Sequence, residues 1–199
     1  LNGRSHWTAA STHFHEEDII LEAHIALLKE QPHTNLILVP RHPHRCENIE
    51  ALIKRKGLTY RLYSQWTKKK KNLTEDVLLV DQMGLMGVFY ELSSYVLVAG
   101  SLVNDIGGHN ILEPLRQKCI TFHGPYMSNF KEIAAQTKKE SVTIEVKGAR
   151  DLSTAMLGIM KNESQQESYI ENGQKFLKTQ TRILDMIFQN ISPYFQREL

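Results

Sequence analysis

The stretch Gly100-Ser101-Leu102-Val103-Asn104-Asp105-Ile106-Gly107-Gly108-His109-Asn110-Ile111-Leu112-Glu113-Pro114 gathers residue types that suit a phosphorylated sugar. Glycines let a backbone approach a ligand closely, and the free amides of a helix start attract an anion. Tyr95 to Ala99 is an apolar run that reads as a buried strand feeding this loop. Gly107 and Gly108 are expected to open a short helix whose first turn carries His109, Asn110 and Glu113. A carboxylate one turn into such a helix can accept hydrogen bonds from sugar hydroxyls, so the pattern suits a phosphate with a ribose attached. An ordinary strand-to-helix turn with a glycine cap is the plainer alternative.

Other turns could face the same ligand. Arg41 ends the run Val39-Pro40-Arg41-His42-Pro43, where two prolines stiffen the loop. Its planar, permanently charged guanidinium suits an anion, and His42 can donate to the same one. Ser11 and Thr12 follow a first strand, where their hydroxyls could reach a phosphate or cap the next helix. In Asp81-Gln82-Met83-Gly84, Met83 offers a soft apolar contact and Gly84 a close approach to a planar ring. His13 and His15 with Glu16 and Glu17 resemble part of a zinc site, but no third ligand is obvious. Gly124-Pro125 marks a tight turn; Asn129 reads as a helix cap and Phe130 as a core residue.

These turns need strands to position them. Apolar runs at 7–11, 36–39, 77–80, 96–98, 120–122 and 142–144, with a weaker one at 60–63, alternate with helical patterns at 16–29, 46–56, 85–92, 110–116, 129–136 and 151–160. From Glu163 to about Gln189 the chain reads as helix. Such alternation predicts an α/β fold with a Rossmann-like, doubly wound, mostly parallel sheet, whose ligands lie beyond the carboxyl ends of the strands. All the candidate turns fall at those ends.

With 41% apolar and 23% charged residues, the 199-residue chain has the composition of one globular domain. A net charge of +2 does not indicate nucleic acid. Cys46 and Cys119 stand apart, without metal-site spacing, and point to a reducing compartment. No apolar run reaches the roughly 18 residues of a membrane span, and no signal peptide opens the chain. Leu1 to His6 reads as a linker from a preceding domain. Lys68 to Lys71, beside Trp66, reads as an exposed basic loop, with attraction to an anionic surface as the sharper alternative.

The order of these pieces resembles the C-terminal half of the 3-deoxy-D-manno-octulosonic acid (Kdo) transferases. The matching segments are A-S-T-H at Ala10 to His13, L-V-P-R-H-P at Leu38 to Pro43, M-G at Met83-Gly84 and A-G-S-L-V at Ala99 to Val103. G-G-H-N-x-L-E-P at Gly107 to Pro114 and G-P-x-x-x-N-F-K-E-I at Gly124 to Ile133 complete the set. The resemblance runs from Trp7 to about Ile133. It implies the donor-binding half (residues 7–162) of a GT-B enzyme, with residues 163–199 packing on it or returning to the other half. The transfer implied is of Kdo from CMP-Kdo to the lipid A precursor, inverting and without a metal or other cofactor, in lipopolysaccharide synthesis. Its setting would be the cytoplasmic face of a bacterial inner membrane.

By the same resemblance Gly107, Gly108, His109 and Asn110 meet the CMP phosphate, and Glu113 holds the ribose. Met83 and Gly84 contact cytosine, while Arg41, His42, Ser11 and Ser101 face the phosphate and sugar acid. The catalytic base, acceptor site and membrane anchor belong to the other half, so the chain alone should bind donor and transfer nothing. Two departures stand out: Phe14-His15 where the family usually has an acidic residue and glycine, and Leu85 where it has glutamate after M-G. The rivals are a GT-B enzyme using a UDP-sugar, a non-catalytic module docking through the lysine run, and a metalloenzyme on His13, His15, Glu16 and Glu17.

Overall fold

A computed structural model of the protein describes residues 5–69 and 72–195, and the side chains of 5–67 and 72–182. Seven strands form one sheet: β1 (Ser5–Thr12), β2 (Thr34–Pro40), β3 (Tyr60–Leu62), β4 (Val77–Leu79), β5 (Tyr95–Val98), β6 (Ile120–His123) and β7 (Thr143–Glu145). Their spatial order is β3-β4-β2-β1-β5-β6-β7, with every pairing parallel. The α/β, doubly wound expectation is met.

The continuous apolar runs follow from burial on both faces. In β2, Leu36 and Leu38 enter the same core as Trp7, Ile20, Leu27 and Met156, while Ile37 and Val39 point the other way toward Phe89. Strand β5 does likewise, with Leu97 on the first face and Val96 and Val98 on the second. Helices α1 (Glu16–Glu30) and α7 (Ala149–Met160) cover the first face together, with α2 (Cys46–Arg55) beside them. The second face is covered by α3 (Tyr63–Lys69), α4 (Met86–Leu92), α5 (Leu112–Arg116) and α6 (Lys131–Lys139). Each fully buried Leu, Ile or Phe contributes about 1.5–3 kcal/mol. At α8 (Glu163–Phe195), Phe176 packs on Leu115 and Val142, and Gln174 donates to the Leu115 carbonyl at 2.8 Å.

Three expectations are corrected. The glycine loop does not open a helix at Gly107; α5 starts at Leu112, after Asn110 accepts the Leu112 amide at 3.0 Å. The chain through Lys69 is helical rather than a loop, because Asp81 caps its start by accepting from the Ser64 amide at 2.9 Å, while Tyr63 packs edge-on against Phe89 at 5.4 Å. The side chains of Lys68 to Lys71 lie outside the described residues, as do those of Tyr194 and Phe195. Strand β1 begins at Ser5, inside the expected linker, whose residues 1–4 also lie outside. Among the described residues no helix is long and apolar enough to cross a membrane.

Candidate functional site

β1 lies between β2 and β5, so the chain winds outward in both directions from it and the turns after β1 and β5 diverge. A crevice opens where strand order reverses in this way. Here it is a cavity of about 360 Å³ lined by Ser11, Arg41, Met83, Gly84, His109, Asn110 and Glu113, with Leu85, Tyr90 and Phe130 completing its walls. Of the residues expected from sequence, His42, Ser101, Gly107 and Gly108 are not part of that lining.

A buried carboxylate builds the cavity's inner side. Glu16, fully buried at the start of α1, accepts hydrogen bonds from the amides of His13 (3.0 Å), Gly100 (2.8 Å), Ser101 (3.0 Å) and Leu102 (2.9 Å). Burial pushes its pKa up, and the amide donors oppose that shift. One side chain thereby ties the turn after β1 to the turn after β5. Glu17 beside it takes a two-pronged ion pair from Arg45, at 2.8 and 3.1 Å, and the Thr12 hydroxyl at 2.9 Å. Thr12 therefore does not cap α1, whose N-cap is His15 in the left-handed region at φ 70°. That is where the Kdo transferases usually have glycine, which enters this region freely.

The glycines serve the loop itself. A Cβ on Gly107 would collide with Ser128, and one on Gly108 with Met127, while the Gly108 amide is already bonded to the Gly100 carbonyl at 2.7 Å. Both are buried, and neither faces the cavity, which corrects their expected place on the phosphate. Ser101 is corrected likewise: its buried hydroxyl donates to the Val98 carbonyl at 2.7 Å and accepts the Gly124 amide at 2.8 Å. Asn129 is a strut rather than a cap, donating to the Ile106 carbonyl at 2.9 Å. His42 lies just outside, edge-on to His13 with ring centroids 6.0 Å apart.

The ligand-facing groups are positioned by short bonds. The Arg41 amide donates to the Thr12 carbonyl at 3.0 Å, which fixes the root of an otherwise exposed side chain. Asn110 donates to the Glu113 carboxylate at 3.3 Å, so helix entry and carboxylate are set together. His109 stacks on His13 with Nε2 atoms 2.8 Å apart. Burial and the nearby Arg41 push the His109 pKa down, and Glu113 opposes this. Burial pushes the Tyr90 hydroxyl up, with Glu113 adding to it, so Tyr90 stays a neutral phenol on the cavity wall.

Glu16 and Glu17 are thus bound to amides and to Arg45, and among the described residues no three His, Cys, Asp or Glu side chains group as metal ligands. Cys46 and Cys119 are buried free thiols, pushed up by burial to about 11 and about 12. Sequence reasoning left Glu16, Arg45, Tyr90 and Phe130 out of the site. Glu16 and Glu17 looked like ordinary acidic residues of a helix start, and Phe130 like core. The only signal was an E-E pair directly after a histidine-bearing turn.

No family model matches the chain. A curated relative from Haemophilus influenzae named 3-deoxy-D-manno-octulosonic acid transferase is 34% identical over 194 residues, covering 97% of this chain and 45% of the relative. The chain thus spans less than half the length of that relative. The crystal structure of the C-terminal CMP-Kdo binding domain of WaaA from Acinetobacter baumannii is similar with a TM-score of 0.82 and 30% identity, covering 88% of this chain and 90% of that one. The C-terminal domain of a group 1 family glycosyl transferase from Francisella tularensis, 14% identical with a TM-score of 0.59 over 88% of this chain and 85% of its own, shares the fold. Sheet order, crevice and these likenesses define the C-terminal domain of a GT-B glycosyltransferase. Within that class the chain belongs to the Kdo transferase family, as the resemblance of its motifs implied.

Proposed function

We propose that the chain is the donor-binding half of an enzyme transferring Kdo from CMP-Kdo to the lipid A precursor. The supporting observation is a single cavity at the switch point of the sheet that gathers a guanidinium, an imidazole and a carboxylate beside an apolar ledge. Arg41 and His109 take the phosphate, with the Ser11 hydroxyl beside them. Glu113, oriented by Asn110, takes the ribose hydroxyls. Cytosine lies along Met83, Gly84 and Leu85, so the leucine that replaces the family's glutamate touches the ligand through apolar contact. The likeness to a domain described as binding CMP-Kdo supports the choice of donor.

In the reaction the bond from the anomeric carbon to the phosphate oxygen breaks, and its electron pair leaves with CMP. Arg41 and His109 stabilise that growing negative charge where water is partly excluded, so the step requires no metal. An acceptor hydroxyl attacks from the opposite face, which inverts the configuration. The base that removes its proton, the acceptor surface and the membrane contact come from a second domain, so the 199-residue chain binds donor without transferring it. The complete enzyme works at the cytoplasmic face of the inner membrane.

Calorimetric titration with CMP, UMP and UDP tests this reading. CMP is expected to bind best, and Arg41→Ala and Glu113→Ala each to weaken it about tenfold or more, since a bond to a charged group is worth about 1.5–3 kcal/mol. Equal or tighter binding of UDP moves the reading to a UDP-sugar enzyme. Binding of no nucleotide, with salt-sensitive attachment to anionic vesicles, moves it to a docking module.

A further inference from the structure

The contact between His13 and His109 spans the switch point, one ring from the turn after β1 and the other from the loop after β5. Their Nε2 atoms lie 2.8 Å apart, with ring centroids at 5.1 Å and planes inclined by 18°. Two imidazole nitrogens at that separation cannot both carry a hydrogen. One donates, the other presents its lone pair, and at least one ring is neutral.

The contact is built into the loops. A Cβ on Gly100, which adopts φ 73°, would lie 2.9 Å from the His109 ring, so the glycine leaves the seat that the imidazole fills. Glu16 accepts from the amides of both His13 and Gly100, which registers the two turns against each other. The rings are thus held in contact by a buried carboxylate and a reserved space, rather than by chance meeting on a surface.

Nearly every group facing the pair opposes charge on it. Burial, His109, His42, Arg45 and Arg41, in that order, hold the His13 pKa down to about 4. His44 stacks behind His42 on the same side, with centroids 5.6 Å apart. On the acidic side, Glu17 is taken up by Arg45 and Thr12, and Glu16 by backbone amides, which leaves Glu113 as the carboxylate acting on His109. The cavity wall that carries Arg41 and His109 is therefore short of negative charge until an anion enters.

We propose that His13 and His109 act as one proton-sharing pair, uncharged in the empty site, that takes up a proton when the donor's phosphodiester binds. His13 is thus a positioning residue: it receives or supplies the shared proton and lets His109 meet the phosphate as half of an imidazolium pair. The inference rests on the donor reading above and adds a residue that does not line the cavity.

The sign follows from proton uptake. Because the occupied site binds more protons, affinity falls as pH rises. The slope approaches tenfold per pH unit between the lowered pKa of the empty pair and the raised pKa of the occupied one, and vanishes above the latter.

The test is calorimetry with the methyl ester of CMP, a phosphodiester like the donor that has no phosphate proton of its own to exchange in mildly acidic buffer. Titrations at about pH 6 in two buffers of different ionisation heat read the protons taken up directly, the unperturbed histidine pKa of about 6.5 placing the pair's response in this range. The native chain is expected to take up a fraction of a proton approaching one, and His13→Gln to bind more weakly with the uptake lost. Binding by the native chain without uptake, or the same uptake in His13→Gln, overturns the inference and leaves the donor reading intact. No binding of the ester overturns both. Nitrogen-15 spectra of the histidine rings give a second measure on the native chain. Both rings are expected neutral when empty and one charge shared when filled, and a charged ring in the empty chain at neutral pH overturns the inference even if the variant does not fold.

Discussion

The inner wall of the cavity, formed by the turns after β1 and β5, and its outer wall, the turn Gln82-Met83-Gly84-Leu85 after β4, are held by different means. The inner wall is bonded through Glu16 to four amides and through Glu17 to Arg45, and its glycines have side-chain or backbone neighbours where a Cβ would stand. In the outer wall Met83 is 68% exposed, and a Cβ on Gly84 would meet nothing within 4 Å. The difference matches what the proposed donor asks of each wall. Charge stabilisation depends steeply on distance and is lost if the groups must reorganise, whereas a planar base needs apolar area that a thioether can supply in several poses. In the proposed donor complex the phosphate end is preorganised and the base end adaptable.

The largest break in that contrast is Glu16→Ala, which strands three buried amides and the part-buried one of His13. At about 1–3 kcal/mol for each unsatisfied group, a loss of about 4 kcal/mol or more is expected in urea unfolding, with nucleotide binding gone. Next comes a pair of glycine substitutions. Gly107→Ala, at φ 90°, drives a Cβ into the Ser128 side chain and should cost about 3 kcal/mol. Gly84→Ala, at φ 81° with open space around it, should cost only the left-handed penalty of about 1–2 kcal/mol. Equal costs would erase the distinction between the walls.

Stability should also fall with acid. His24 is fully buried, accepts the Trp7 indole N–H at 3.2 Å and donates to the Asp76 carbonyl at 3.1 Å, so it is held neutral with its pKa pushed down by burial to about 4. The unfolded chain therefore binds the extra proton first. This contribution is fully present above about 6.5 and is lost as pH falls toward about 4, amounting to about 3 kcal/mol. Denaturant midpoints across that range should drop, and His24→Gln should flatten the part that His24 contributes. The smallest effect belongs to the outer wall: Met83→Ala should leave stability within about 0.5 kcal/mol and weaken CMP by less than about threefold.

Arg41, Met83, Gly84, His109 and Asn110 were legible as cavity-lining residues because each stands at a strand end or in the loop following one, with Glu113 in the first turn of the helix beyond, and parallel sheets gather those ends along one edge. Gly107, Gly108 and Ser101 looked equivalent in sequence, yet the Gly107 carbonyl accepts the Asn129 amide, the Gly108 amide donates to Gly100, and the Ser101 hydroxyl bonds Val98 and Gly124. A glycine beside a ligand and a glycine beside a methionine have the same signature in a chain read alone. Helix α3, which reaches into the run Lys68 to Lys71 read as a loop, was hidden for a similar reason: Asp81, which caps its start at Ser64, lies 17 residues further on.

Alternating apolar runs and turn residues by themselves determined the α/β fold, the strand ends that carry chemistry and the likeness to Kdo transferases, because these depend on local periodicity and on short motifs. Tertiary structure alone decided which polar groups face the cavity and which brace it. Glu16 meets Gly100, Ser101 and Leu102 across 84 to 86 positions, and His13 meets His109 across 96, only because β1 and β5 pair in parallel and bring their turns side by side. Hydrogen bonds of that range have no local signature, since either partner alone is compatible with solvent.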